Sequence, residues 1–161
     1  GLGLATGKGK DVLLSMALEG VVDILSFERT VLFKADRENH QIKAIRWAGM
    51  ETKELAMKLD LPLKKSSGAL ALAVLEHRDF HVPQAASSAY GDLAGDELLS
   101  VAQCTGFAVS PVRTIDGAVF GVLYADGGAG GLDVTSEQAS ELAGLAQQIG
   151  LILGMDQPAA P

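Results

Sequence analysis

Residues Val119–Asp126 read Val-Phe-Gly-Val-Leu-Tyr-Ala-Asp, and this stretch decides the fold class of the chain. Almost every side chain in it is apolar, and an Asp116-Gly117 pair stands just before it. An apolar run of this length beside an Asp-Gly pair is typical of a buried strand in a tight hairpin. Phe107–Arg113, on the other side of the pair, is its predicted partner, so the sequence favours an antiparallel sheet.

A second hairpin is predicted in the first third of the chain. Residues 30–35 and 42–48 are largely apolar, and the polar residues 36–40 between them are typical of a turn. One further short strand, residues 79–82, ends at Pro83.

Helices are predicted on both sides of these strands. The first begins at the N-cap residue Asp11 and carries apolar residues at three- and four-residue intervals. The last begins at Thr135, where Gln138 completes a capping box, and it ends at Gly154. Between them we predict helices at residues 51–59, at residues 66–77 opened by Ser66 or Ser67, and at residues 96–104 followed by Gly106 as C-cap, with a loop at residues 85–95.

Hairpins and helices in this order predict an α+β fold, in which an antiparallel sheet carries helices on its faces. A chain of 161 residues, 48% of them apolar, is sufficient for one packed core. We expect a flexible tail or linker over residues 1–10, a single domain over residues 11–154 and a C-terminal tail over residues 155–161.

The charge and the cysteine content limit the partners and the compartment. The formal net charge of −7 repels a phosphate backbone, so we expect no nucleic acid partner. No apolar run approaches the roughly 20 residues that cross a bilayer, so we expect no membrane partner. The single cysteine, Cys104, excludes an internal disulfide and suits a cytoplasmic location. The sequence lacks an initiating Met and a signal-peptide pattern, and we expect it to be part of a larger protein.

Several segments of the chain resemble the GAF family of sensory domains. They are Phe-Glu-Arg-Thr-Val-Leu-Phe at residues 27–33, Ser-Gly-Ala-Leu at residues 67–70, residues 107–111, and Val119–Asp126 with the helix from Thr135. The likeness covers residues 11–153. It implies a central antiparallel sheet with the terminal helices packed together on one face and a ligand cavity beneath the mid-chain helices on the other. In this family the terminal helices often pair two subunits.

A weaker likeness concerns the domains that flank this one in a longer protein. Leu18-Glu19-Gly20 and Tyr124-Ala125-Asp126 resemble GAF domains found beside HDOD domains in bacterial signalling proteins, which implies a flanking signalling domain. The alternative fold is a PAS domain, whose similar sheet can also hold a ligand. The long capped helix after the last hairpin favours GAF.

The sequence departs from the GAF subclasses that have a known cofactor or activity. It lacks the Asn-Lys-Phe-Asp-Glu signature of members that bind cyclic nucleotides, and Cys104 precedes Thr105 instead of the His common in bilin-bearing members. GAF-type methionine sulfoxide reductases use several cysteines, because a second thiol must resolve the intermediate formed by the first. His40, His77 and His81 do not predict a shared metal site. We therefore predict no cofactor, no metal and no catalytic residue.

A ligand pocket is predicted from residues of the mid-chain segment and of neighbouring strands. Its candidate residues are Trp47, Ser67, Leu70, His81, Tyr90, Phe107 and Ser110. Trp47 and Tyr90 suit an aromatic wall for a planar ligand, and the alternative for each is a place in the core. We interpret Cys104 as a small buried residue, with a reactive sensor thiol as the alternative. Residues 127–131 are rich in glycine but lack the Lys-Ser/Thr of a P-loop, so we predict a mobile connection.

Two functional hypotheses remain open. The first is a sensory domain that binds an unidentified small molecule and signals through a homodimer of its terminal helices. The candidate interface residues are Leu13, Ala17, Ile24, Leu145 and Ile152, since helices this apolar usually bury more than one surface. The second is a ligand-free dimerisation module with a closed pocket. An enzyme ranks last, because no catalytic constellation is present in the sequence.

Overall fold

The computed structural model describes residues 7–155. In chain order the elements are α1 (Gly7–Asp23), β1 (Arg29–Asp36), β2 (Gln41–Gly49), α2 (Thr52–Lys58), β3 (Leu61–Pro62), α3 (Ala69–Glu76), β4 (Phe80–Val82), α4 (Gly91–Ala94), α5 (Asp96–Ala102), β5 (Phe107–Arg113), β6 (Val119–Asp126) and α6 (Ser136–Leu153). Short 3-10 helices occupy Lys65–Ser67 and Ser88–Tyr90.

The strands form one antiparallel sheet of six, in the order β3-β2-β1-β6-β5-β4. Both predicted hairpins are present, and β6 lies at the centre of the sheet between β1 and β5. Gly121 allows β6 and β1 to lie close together, because a Cβ atom there would come within 1.8 Å of the carbonyl oxygen of Phe33. The stretch that predicted the sheet is therefore one of its two central strands.

The two faces of the sheet bury two separate apolar clusters. Since side chains alternate along a strand, Val31 and Phe33 of β1 point to the face covered by the mid-chain helices α2 to α5. Leu32 points to the other face, where Leu18 of α1 and Leu142 of α6 pack against it. The predicted α+β arrangement is confirmed, with the terminal helices on one face and the mid-chain helices on the other.

The end of α1 and the start of α6 are joined by local hydrogen bonds. The predicted capping box is confirmed, because Thr135 Oγ1 accepts a hydrogen bond from the amide of Gln138 at 3.0 Å and Gln138 Oε1 accepts one from the amide of Thr135 at 2.9 Å. Gln138 Nε2 also donates to the carbonyl oxygen of Leu25 at 3.1 Å. The first turn of α6 is thus attached to the chain that leaves α1.

Three predicted helix ends are wrong. α1 begins at Gly7, so Asp11 lies inside the helix, where it pairs with Arg46 of β2 and caps nothing. The N-cap residue of α3 is Gly68, at φ 96°, and not a serine. The hydroxyl of Ser67 donates instead to the carbonyl oxygen of Pro62 at 2.7 Å. Gln103, at φ 51°, ends α5 three residues before the predicted Gly106.

The predicted loop at residues 85–95 is only partly irregular, because it contains a 3-10 turn and α4. Residues 1–6 and 156–161 of the predicted tails lie outside the described residues. Within residues 7–155, no helix is long and apolar enough to cross a membrane.

Candidate functional site

The space between the sheet and the mid-chain helices is occupied by side chains in the described part of the chain. Leu70 of α3 is 1% exposed and Phe107 of β5 is fully buried. The ring of Phe107 packs against that of Tyr124 with 5.7 Å between centroids. Ala69 and Ala73 are fully buried on the side of α3 that meets this cluster, and their small side chains let the helix lie close to the sheet. These predicted pocket residues are therefore part of the apolar core on this face of the sheet.

Five of the seven predicted pocket residues lie on this side of the sheet. Leu70 and Phe107 belong to the buried apolar cluster. Trp47 and Tyr90 are half-buried at its rim, where they pack against the cluster. Ser67 is half-buried, and its hydroxyl is engaged by the backbone of Pro62.

The other two residues, His81 and Ser110, lie on the opposite face. His81 Nε2 lies 2.6 Å from the carbonyl oxygen of Val134, close to the start of α6. Ser110 stands opposite Leu123, which points toward the terminal helices, and its hydroxyl donates to the carboxylate of Asp79. Strand alternation therefore places these two residues on the other face of the sheet from the remaining five, and ligand binding by any of the seven stays a prediction.

A buried polar cluster at the ends of β1 and β6 was not predicted. Arg29 and Asp126 form a two-pronged ion pair, with Nε to Oδ1 at 2.8 Å and Nη2 to Oδ2 at 2.7 Å. Nη2 also donates to the carbonyl oxygen of Ala102 at 2.7 Å, at the end of α5. The amide of Gly128 donates to Asp126 Oδ1 at 2.9 Å, and the Tyr124 hydroxyl donates to Oδ2. The pair therefore joins two strands, a helix end and the glycine-rich loop.

Burial controls the protonation of the groups in this cluster. Burial lowers the pKa of Arg29, but the hydrogen bonds and charge of Asp126 outweigh it and leave that pKa raised, so the guanidinium stays charged. Burial, followed by the charge of Asp126, raises the pKa of Tyr124 well above its usual value. The same causes raise the pKa of Cys104 to about 11. Because a thiol is reactive as its thiolate, Cys104 fits the interpretation of a small buried residue.

A sequence signal for the cluster does exist. Arg29 stands at the start of an apolar segment and Asp126 at the end of another, and a charged residue inside a buried strand usually has a partner. The two are separated by 97 positions, so their pairing depends on the register of β1 against β6.

The glycine-rich residues 127–131 form a compact turn held by hydrogen bonds, where we predicted a mobile connection. The amide of Gly130 donates to the carbonyl oxygen of Gln103 at 2.7 Å, and that of Leu132 to Gly127 at 3.2 Å. Ala129 also pairs with Cys104 as an isolated bridge. The turn thus packs beside the buried ion pair and, through the amide of Gly128, donates a hydrogen bond to it.

Two surface grooves lie beside the buried ion pair and the terminal helices. One, of about 400 Å³, lies beside Arg29 between α2 and the end of α5. The other, of about 490 Å³, lies between α6 and the end of α1 with the turn that follows it.

The five predicted interface residues divide between the surface and the core. Ile24 is 79% exposed, and with the half-buried Leu145 it lines the groove between the terminal helices. Ala17 and Ile152 are half-buried against the apolar cluster below, and Leu13 is also half-buried.

Comparison with solved structures identifies the fold. No protein-family model matches the sequence, and no curated protein matches it either. The GAF domain/HD domain protein from Geobacter sulfurreducens is 14% identical and superposes with a TM-score of 0.74 over 98% of each chain. The GAF-B domain of DevS from Mycobacterium smegmatis is 17% identical, with a TM-score of 0.66 over 89% of this chain and 91% of that one.

A type II free methionine-R-sulfoxide reductase from Thermoplasma acidophilum is also similar, at 15% identity and a TM-score of 0.66 over 94% of this chain and 95% of that one. The class is thus an α+β domain with one antiparallel sheet between two helical layers. This chain has the GAF fold.

Proposed function

We propose that this chain is a regulatory module of a larger signalling protein and that it forms a homodimer through the outer faces of α1 and α6. One observation carries the proposal: α6 and the turn that follows α1 expose large apolar side chains around a shared groove. Ile24 is 79% exposed and Leu151 57%. Exposed apolar side chains that cluster on one surface are typical of a site of protein contact.

The chemistry of the groove supports a partner helix as its occupant. Glu141 is the only charged residue among the described residues that line it, and depletion of charge is typical of the centre of an interface. Gly20 and Gly144 also line it, and apart from the backbone of their own helices no backbone lies within 4 Å of the place where a side chain would begin at either residue. Another helix can therefore lie close to the backbone there.

The fold supports the regulatory part of the proposal. The similar structures from Geobacter sulfurreducens and Mycobacterium smegmatis carry GAF domains, and another is part of a methyl-accepting chemotaxis protein. By analogy we propose a bacterial, cytoplasmic signalling protein with a flanking output domain. The prediction that this flanking domain is an HDOD domain stays a prediction. Direct binding to nucleic acid or membrane is not part of the proposal.

Light scattering on matched variants tests the homodimer. Ile24→Lys and Leu151→Lys place a charge in the groove, and we expect either to convert a dimer to a monomer. Ile115→Lys is the control, because Ile115 is 76% exposed in the turn between β5 and β6 and does not line the groove. A dimer that survives both groove substitutions would contradict the proposed interface.

A second candidate function is the sensing of a small molecule, and the open groove beside Arg29 favours it. Since Leu70 and Phe107 are buried in the apolar core, the groove beside Arg29 is the place proposed for a ligand. A thermal-shift screen over cyclic nucleotides, purines, amino acids and organic acids tests this function. Stabilisation by none of them would favour the ligand-free dimerisation module.

Catalysis is not part of the proposal, although one similar structure is a methionine-R-sulfoxide reductase. Cys104 is the single cysteine of the sequence, so no second thiol of this chain can resolve an oxidised intermediate. An assay with free methionine-R-sulfoxide and a dithiol reductant tests this point, and turnover lost in Cys104→Ala would contradict it.

A further inference from the structure

The groove beside Arg29 contains a positive charge whose hydrogen bonds are not all used. A guanidinium has five N–H donors. Three of them are engaged in this structure: Nε–H and one Nη2–H by Asp126, and the other Nη2–H by the carbonyl oxygen of Ala102. The two N–H groups of Nη1 form no hydrogen bond with the described residues.

The free nitrogen faces the groove. Arg29 is only 5% exposed, yet it lines the groove between α2 and the end of α5. No buried side-chain nitrogen or oxygen in residues 7–155 lacks a hydrogen-bond partner. Nη1 must therefore be the part of the side chain that reaches solvent, and the groove is where it does so.

Charged side chains of both signs line the same groove. Glu54 and Lys58 are four residues apart on α2, which places them on the same side of the helix, and Glu51 stands just before its first turn. Among the described residues none of the three forms an ion pair with another side chain. The groove thus presents two carboxylates, one ammonium and the free edge of a guanidinium.

We propose that this groove binds a small zwitterion of the α-amino acid class. The ligand carboxylate accepts hydrogen bonds from Arg29 Nη1 and Lys58, and the ligand ammonium donates to Glu54 and Glu51. This inference rests on the proposed small-molecule sensing and assigns it a site and a ligand class. A simple anion would be repelled by the two glutamates, and a simple cation by Arg29 and Lys58.

The volume and position of the groove fit such a ligand. About 400 Å³ lies within the range of small-molecule sites, at its lower end. Arg29 is the first residue of β1, and five residues separate α1 from it. An occupied groove would therefore act on the segment that leads to the proposed dimer surface.

Isothermal titration calorimetry with the common L-amino acids, added singly, tests the proposal. For each amino acid that binds, the N-acetyl derivative and the decarboxylated amine are titrated as well, since each lacks one of the two charges. We expect the intact amino acid to bind and both derivatives to bind at least about tenfold more weakly, because each loses a charge-assisted hydrogen bond.

Variants of exposed residues locate the site without disturbing the core. We expect Glu54→Gln and Lys58→Gln each to weaken binding by about tenfold. Lys53→Gln is the matched control, because Lys53 is an exposed residue of α2 that does not line the groove, and binding should not change.

Three outcomes would overturn the inference, and they are distinguishable. Amino acid binding that is equal in all three variants would place the ligand elsewhere and leave sensing intact. Binding of another class from the thermal-shift screen, with no amino acid bound, would overturn the ligand class alone. Binding of nothing at all would overturn both this inference and the sensing proposal, while the dimer proposal would stand on its own test.

Discussion

Asp126 connects four parts of the chain through the two oxygens of one carboxylate. It receives hydrogen bonds from Arg29 of β1, from Tyr124 two residues earlier and from the backbone of Gly128, and Arg29 continues to the end of α5 through Ala102. The pair is almost completely desolvated, so the attraction between its charges does little more than offset the cost of removing them from water. Removing one partner is strongly destabilising, because it leaves the other charge buried without a counterion.

Breaking this pair should destabilise the protein strongly. We expect Asp126→Asn to lower the free energy of unfolding by about 3–5 kcal/mol, since Arg29 keeps a buried charge without a counterion. The double variant with Arg29→Met should cost less than the sum of the two single variants, because it removes both charges. Chemical denaturation measures all three.

The exposed pair of Lys43 and Asp36 is the control for that experiment. Its atoms lie 3.0 Å apart, but Lys43 is 57% exposed, so Lys43→Met should change stability little. Equal losses from the buried and the exposed pair would contradict the role given to Asp126.

Cys104 should make stability depend on pH in the alkaline range. Its pKa is raised from 9.0 to about 11 by burial and by the charge of Asp126. Above pH 9 the unfolded chain loses the thiol proton while the folded chain keeps it, so stability falls as the pH rises through this window.

The comparison with Cys104→Ala isolates this effect. The difference in stability between the wild type and Cys104→Ala should be constant below pH 9 and should change between pH 9 and about 11, with the wild type losing more. Denaturation curves over this range provide the measurement. A difference that is constant throughout would show that the thiol titrates normally.

Contacts at the residue scale were the least predictable from sequence. Cys104 was placed correctly because a free cysteine is among the most often buried residue types. The pairing of Arg29 with Asp126 depends on the register of β1 against β6. His81 lies on the face of the sheet that the terminal helices cover, and this depends on the orientation of β4 in the sheet. Neither is encoded in local spacing.

At the scale of elements, close backbone approach fixes the position of α6 on the sheet. A Cβ atom at Gly150 would lie 1.9 Å from the carbonyl oxygen of Arg113, at the end of β5. The helix can therefore pack at this distance only because residue 150 has no side chain.

Gly150→Ala should lower the free energy of unfolding by at least about 2 kcal/mol, although alanine is the better helix former, because the helix must move off the strand. Gly91→Ala is the control within a helical segment, since nothing lies within 4 Å of a Cβ atom there. We expect it to be neutral or stabilising by up to about 1 kcal/mol. Thermal and chemical denaturation of both variants test this, and a stable Gly150→Ala protein would contradict the close contact.

Elements with a local signal were predicted well. Both hairpins and the capping box of α6 are present, because a tight turn and a cap depend on residues a few positions apart. The start of α3 was misplaced because Gly68 adopts a positive φ where its neighbour Leu93 leaves no room for a side chain. That constraint comes from a tertiary contact, which the local sequence does not contain.

At the scale of the whole molecule, the layer order was predictable and the state of the interior was not. Two hairpins with helices before, between and after them predict one sheet covered on both faces. Whether side chains such as Leu70 and Phe107 leave a cavity depends on how closely α3 approaches the sheet, and the buried alanines of α3 bring it close. Both proposed sites of contact therefore lie in surface grooves.

The groove between α6 and the end of α1 carries the central claim, because the exposed apolar side chains of Ile24 and Leu151 line it. Sedimentation equilibrium of the wild-type chain, from micromolar to millimolar concentration, is the most direct test. We predict a reversible rise in mass to twice 16.7 kDa, the mass of one chain. A constant mass of 16.7 kDa over the whole range would contradict the proposed homodimer.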